Sequence, residues 1–325
     1  METRTESIKT IAELNGVRSW TLYRDYKQVS GYEDWEQRHH SREYLVFPEN
    51  IGERLSIDEV SLNKGELYTF LTNKAAKGRK GTLVASIHGT KTNDIVLHVS
   101  RIPLAQRQKV KEVTLDLASN LARAVRELFP NARLVSDRFH IMQLAYEVVQ
   151  QHRVEFRSQA IEEENEAVKQ AKKQGIRYIP PEYHNGDTRK QLLARSRYGL
   201  YKHTSKWTNN QWLRMGLLFQ EFPELKTAYE HVQKLVHIYR FTDIEKAELA
   251  FRDWIKESHK MKLDGFKRVA DTFENHLQTI LNFYYHRSTN AAAEAFNAKV
   301  KLFRAIQRGV TDTEFFLFRL SKLYA

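Results

Sequence analysis

From residue 54 the apolar and polar positions fall into short β-rich runs: RLSIDEVSL, LYTFLTN, TLVASIHG and IVLHVSR. Turn material separates them, notably Asn63-Lys64-Gly65 and Lys77-Gly78-Arg79-Lys80-Gly81. Such short connections predict antiparallel neighbours, because a parallel crossover needs a dozen or more residues. The pattern then alternates. A helical stretch near 104–111 precedes a strand, EVTLDLA, over 112–118. Residues 119–129 place Leu121, Ala124, Val125 and Leu128 at helical spacing. Pro130-Asn131 ends that helix, ARLVSD (132–137) predicts another strand, and a helix follows from about 139.

Three antiparallel strands followed by α-β-α-β-α is the order of an RNase H-like mixed sheet, so the expected fold class is α/β. From 153 to 265 the strand signal stops and charged, amphipathic helical stretches take over. The last 60 residues again carry a core-packing pattern. The expected organisation is therefore an N-terminal arm (1–50), a first part of the catalytic core (51–152), an all-helical insertion (153–265) and a final helical part of the core (266–325). The arm carries Trp20, Tyr23, Tyr26, Tyr32 and Trp35 without a clear period.

Composition narrows the class. Only 13 Gly and 6 Pro occur among 325 residues, about half the usual share, which leans toward helix. The absence of cysteine excludes a disulfide scaffold, a thiol nucleophile and a Cys-based zinc finger. The N-terminal residues show no apolar signal region, and no run approaches the roughly 18 apolar residues of a membrane span. A cytoplasmic protein with no membrane partner is expected. Lys and Arg total 52 against 40 Asp and Glu, a net charge of +12 that fits a polyanionic partner without requiring one.

Two acids stand where apolar residues are expected. Asp58 lies within LSIDEV, and a carboxylate there is costly to bury unless it is paired or metal-bound. Because side chains alternate along a strand, only one of Asp58 and Glu59 can join a given site. The plainer reading is an edge acid facing water. Asp116, in VTLDLA, stands before a helix, where an N-cap is the plainer reading, although Ser119 and Asn120 lie nearer the helix start. Strands one and four are central neighbours in an RNase H-like sheet, so these acids can approach across 58 residues of sequence. Oxygen donors of this kind suit Mg²⁺, which supports two-metal phosphoryl transfer. In STNAAAEAFNAKVKLFRAIQRG (288–309), an advance of about 100° per residue puts Asn290, Asn297, Lys301 and Arg304 within about 80° of Glu294. Phe296, Val300 and Phe303 fall on the opposite side. A solvated face competes with a site that takes Glu294 as its third acid.

IDEVS, VTLDLASN, FPNARLVSDRFHI and STNAAAEAFNAKVKLFRAIQRG together resemble the DDE transposases of bacterial insertion sequences, specifically the ISL-three family, over about residues 54–320. The resemblance implies an RNase H-like core with Asp58, Asp116 and Glu294 as a metal-binding catalytic triad and two Mg²⁺ or Mn²⁺ ions. It also implies double-stranded DNA (element inverted repeats and target DNA) as partner, with Lys301, Arg304 and Asn297 facing it. Members usually carry an N-terminal cysteine-containing zinc module and a helix-turn-helix. With the motifs beginning at 54 and no cysteine, either a separately encoded protein recognises the element ends or the N-terminal arm and the insertion do so unaided; a homodimer on DNA is also expected. A catalytically silent DNA-binding derivative and an RNase H-like nuclease or resolvase are the competing functions.

Asp137 reads as an accessory acid or as the cap of the next helix, and His140 as a phosphate contact or a structural hydrogen-bonding group. Within 186–207, Arg189, Lys190, Arg195, Arg197, Lys202 and Lys206 face a single acid, Asp187, and interleave with Tyr198, Tyr201 and Trp207. Cations for phosphates and rings for unpaired bases make this the expected DNA track, with a solvated basic helix as the alternative. His39-His40, with no third ligand nearby, reads as surface.

Overall fold

The computed structural model describes residues 5–63, 65–307 and 309–325; Lys64 of the expected turn and Arg308 of the last motif lie outside them. The chain divides into two compact units, one formed by Met1–Arg138 with Gln278–Ala325 and the other by Phe139–Leu277.

The first unit opens with three short helices, α1 (Ile8–Leu14), α2 (Ser19–Val29) and α3 (Tyr32–His39). The stretch read as an arm is thus helical in this region. Its helices are separated by Gly16 and Gly31, both with φ near +65°, a backbone state that glycine adopts without steric cost. Six strands follow: β1 (Tyr44–Val46), β2 (Arg54–Asn63), β3 (Glu66–Asn73), β4 (Leu83–His88), β5 (Glu112–Leu115) and β6 (Arg133–Ser136). They form one mixed sheet in the order β1-β4-β3-β2-β5-β6. β2, β3 and β4 pair antiparallel, whereas β5 pairs parallel with β2 and β6 parallel with β5.

Between β4 and β6 lie α4 (Thr92–Val99), α5 (Leu104–Arg107) and α6 (Ser119–Leu128). The run IVLHVSR, β-rich by composition, is therefore mostly helical. Ile95 and Val99, one turn apart, are buried while Leu97 between them is 63% exposed, so the burial period is that of a helix. The second unit holds α7 (Arg138–Lys173) from Phe139 on, α8 (Arg189–Arg195), α9 (Arg197–Leu200), α10 (Asn209–Glu221), α11 (Pro223–Ile238), α12 (Ile244–Lys260) and α13 (Asp264–Leu281) as far as Leu277. The chain closes with α14 (Phe283–His286), α15 (Ala291–Ile306) and α16 (Thr313–Tyr324) in the first unit.

Alternation along the strands gives the sheet two apolar faces. Leu55, Ile57, Leu71, Val113 and Leu115 pack with Ile95 and Val99 of α4 and with Leu121, Val125 and Leu128 of α6. Val60, Leu62, Tyr68 and Phe70 pack instead with Phe296, Val300 and Phe303 of α15 and with Phe316, Leu317 and Leu320 of α16. The N-terminal aromatics complete that second layer: Tyr23, Tyr26 and Tyr32 stand edge-on to Phe315, and Trp35 edge-on to Phe318. No described helix is long and apolar enough to cross a membrane.

Candidate active site

The parallel register of β2 with β5 pairs Arg54 with Glu112, Leu55 with Val113 and Ser56 with Thr114. Two residues further along each chain stand Asp58 and Asp116. Asp58 shares its strand parity with Ser56 and Val60, which directs it to the face covered by α15. Its Oδ1 accepts the Glu59 backbone N–H at 2.8 Å, and its Oδ2 accepts Asn297 Nδ2 from α15 at 2.6 Å. Asp116 lies just past the end of β5, where its Oδ1 accepts the Ala118 N–H at 2.9 Å. That bond makes a local turn; the N-cap of α6 is Ala118, and Ser119 and Asn120 lie inside the helix. Asn120 directs its amide Nδ2 to the carbonyl of Thr90, 2.7 Å away.

Glu294 occupies the first turn of α15 and is exposed; that turn's N-terminal end favours a negative charge. The helix follows the expected division: Phe296, Val300 and Phe303 are buried in the sheet-facing core. The polar stripe is less uniform than the spacing suggests, for Asn290 and Asn297 are buried, Lys301 is exposed and Arg304 is half-buried. Arg304 Nη1 donates to the Ser61 carbonyl at 3.1 Å, fastening α15 to β2. The structure thus brings Asp58, Asp116 and the helix of Glu294 to one region of the sheet. Among the described residues, no three His, Cys, Asp or Glu side chains already converge on a point that would hold a metal ion.

The surroundings of Glu59 and Lys74 were not legible in the sequence, and Asp137, a candidate accessory acid or helix cap, proves deeply buried. Burial first, and the charge of Asp116 next, push the Glu59 carboxyl above its usual range, against a hydrogen bond with Asn120. Acidic groups therefore crowd these strand ends, and the opposite-face rule for Glu59 does not insulate it from Asp116. Lys74 directs its ammonium to Glu112, at 3.3 Å, and to the Thr114 hydroxyl; desolvation draws its pKa below the usual lysine range. Asp137 is 1% exposed. Its N–H donates to the Leu115 carbonyl at 2.8 Å and its Oδ1 accepts the Asn290 N–H at 3.2 Å.

A family model described as transposase matches residues 55–320, which include every acid named above. The chain belongs to this transposase family. It is 23% identical over 256 residues to the transposase for insertion sequence element IS1557 of Mycobacterium tuberculosis, covering 79% of this chain and 56% of that protein. It is 20% identical over 269 residues to the transposase for insertion sequence element IS1001 of Bordetella parapertussis, covering 82% of this chain and 60% of that one. The chain thus spans a little over half the length of these relatives.

In this transposase-family chain half of the six cations of the basic segment, Arg189, Lys190 and Arg195, are held in ion pairs. Arg189 pairs with Glu163 at 2.9 Å and Lys190 with Glu164 at 2.5 Å. Arg195 pairs with fully buried Asp187, which Arg214 also reaches at 2.8 Å. Trp207 is buried and donates its indole N–H to the Gly199 carbonyl at 2.9 Å, so it packs the interior. Exposed Lys206, exposed Arg197 and Tyr198, and half-buried Lys202 remain at the surface. His140 stands in the first turn of α7 with its ring edge-on to Phe139. His39 stacks on Trp35, with ring centroids 4.7 Å apart.

Proposed function

We propose that the chain carries the catalytic core of an insertion-sequence transposase: it cuts DNA at the element ends and joins the freed 3′-hydroxyls to target DNA. The sheet is read as RNase H-like, with the Phe139–Leu277 unit inserted between its last strand and its closing helices. The observation that supports the reading is the parallel β2–β5 register, which pairs Ser56 with Thr114, two residues before Asp58 and Asp116, while Asn297 of the helix that bears Glu294 bonds Asp58. The insertion-sequence relatives support DNA as substrate.

The donor set fits a divalent cation such as Mg²⁺ or Mn²⁺: Asp58, Asp116 and Glu294 offer carboxylate oxygens alone, the donors such hard cations take. Asp58 and Asp116 would hold two such ions, with Glu294 completing the second site. Bound there, the ions supply Lewis-acid stabilisation of charge on a scissile phosphate. The protein's own contribution is positional. The Asn297 amide and the Glu59 N–H orient the Asp58 carboxylate, the Ala118 N–H orients Asp116, and α15 presents Glu294. Lys301, exposed on the stripe of Glu294, contacts the DNA backbone, whereas Arg304 acts chiefly by anchoring α15 to β2. Lys202, Lys206 and Arg197 make weaker, sequence-independent phosphate contacts. Joining two ends calls for two copies of the chain on DNA, and a separate end-recognition protein fits the same scheme.

The test incubates the protein and Mn²⁺ with labelled DNA bearing the element's terminal inverted repeats and an unlabelled target plasmid. Joined products are expected. Cuts without joining would assign a nuclease or resolvase instead, and binding without either would assign a silent DNA-binding protein.

A further inference from the structure

Helix α15 is fastened to the sheet at two points that flank Glu294. Four residues before it, the Asn290 backbone N–H donates to Asp137 Oδ1 at 3.2 Å, at the end of β6. Three residues after it, the Asn297 side chain donates to Asp58 Oδ2 at 2.6 Å, on β2. With β5 and Asp116 lying between β2 and β6, the two fastenings straddle the acid cluster. Asp137 is 1% exposed and Asn297 7%, so water competes poorly for either bond. At 100° per residue, residues 290, 294 and 297 share one stripe, so the bonds that hold the stripe to the strands also set the rotation of Glu294.

Asn297 carries a second indication. Its Oδ1 is buried and has no hydrogen-bond partner among the described residues. A buried amide oxygen left without a donor costs stability, and a leucine of similar size would avoid that cost. The amide therefore serves through its N–H end, the end that meets Asp58.

We propose that Asn297 and Asp137 are positioning residues for the acid triad. Asn297 aims the Asp58 carboxylate, and Asp137, through the Asn290 N–H, sets the start of α15 and hence the placement of Glu294. This rests on the active-site reading above. Groups of this kind hold the ligands of a metal site in orientation, and losing one typically costs 10–100-fold in metal affinity or activity.

The experiment measures Mn²⁺ binding to the full chain by loss of the free-ion paramagnetic resonance signal, alongside kcat and KM for Mn²⁺-dependent cleavage. Asn297→Ala, with Asn297→Leu as the shape-preserving second variant, is expected to weaken Mn²⁺ binding by at least tenfold. Asp137→Ala is expected to lower kcat by at least tenfold with the KM for DNA unchanged, and Asp137→Asn, which keeps an acceptor oxygen, to restore most of it. Wild-type Mn²⁺ binding in a folded Asn297 variant, or equal kcat for the Asp137 pair, overturns the inference. Should Asp58→Asn bind Mn²⁺ like the wild type as well, the active-site reading itself fails; if only the Asn297 and Asp137 effects are missing, the inference alone does.

Discussion

Truncating Phe296 to alanine tests whether α15 is seated on the sheet as described. The ring is fully buried, edge-on to Phe70 at 5.5 Å on the sheet and edge-on to Tyr324 at 5.3 Å on α16. Phe→Ala in a packed core costs about 3–5 kcal/mol, from lost transfer energy and the cavity left behind. Both ring pairs are lost together, and each contributes about 0.5–1.5 kcal/mol beyond area, so the expected cost is about 4 kcal/mol. For a domain of this size each kcal/mol moves Tm by roughly 2–4 °C, which places the expected drop near 8–16 °C. Differential scanning calorimetry reads it directly. Phe296→Leu, which keeps most of the volume, is expected to cost about 1–1.5 kcal/mol and to retain cleavage activity. A Phe296→Ala transition within about 2 °C of the wild type would refute the packing that carries Glu294 and Asn297 to the strand ends.

Two further outcomes follow from buried polar groups. His231 is 4% exposed, stacked on Trp254 and bonded to the Ser258 hydroxyl at 2.7 Å, and burial draws its pKa down to about 4. The unfolded chain takes up a proton on this group near pH 6.5 while the folded protein does not, so its contribution, on the order of 3 kcal/mol, is present above pH 6.5 and lost as pH falls toward 4. His231→Gln should flatten the urea-midpoint profile between pH 6.5 and pH 4.5; an unchanged slope counts against a neutral buried His231. Lys74→Met should destabilise the first unit by about 3–5 kcal/mol in the same calorimetric measurement, because it strands the Glu112 carboxylate, 1% exposed, without its cation. Restored stability in Lys74→Met with Glu112→Leu would show that the loss comes from the stranded charge.

The parts of the fold legible in the sequence are those whose period and composition agree. The α6 positions Leu121, Ala124, Val125 and Leu128 are all buried, and β2, β3 and β4 lie where the β-rich runs place them. Where period and composition disagree, composition misleads: Ile95, Val96 and Val99 favour a strand by type, yet α4 is fixed by the packing of Ile95 and Val99 against α6. The N-terminal helices are short and interrupted by glycine, so their aromatics show no period, and their packing on Phe315 and Phe318 is tertiary information. At the site, the carboxylates stood out because charges are costly within apolar strands. The pairings did not stand out: Asn297 was legible only as part of the Glu294 stripe, and its bond to Asp58 spans 239 residues, while the Lys74–Glu112 pair, 38 residues apart, carries no sequence signal. Charge counting along 186–207 overlooked the neutralisation by Glu163 and Glu164 of the preceding helix.

The central claim is that Asp58, Asp116 and Glu294 act as one metal-binding unit. Its most direct test measures Mn²⁺ binding and end-joining in parallel for Asp58→Asn, Asp116→Asn and Glu294→Gln, with folding checked by circular dichroism. Each substitution keeps the size of the side chain and removes its charge. All three variants are expected to fold, to lose joined products, and, for the two aspartate variants, to lose Mn²⁺ binding. Folded variants that join DNA as the wild type does would contradict the assignment.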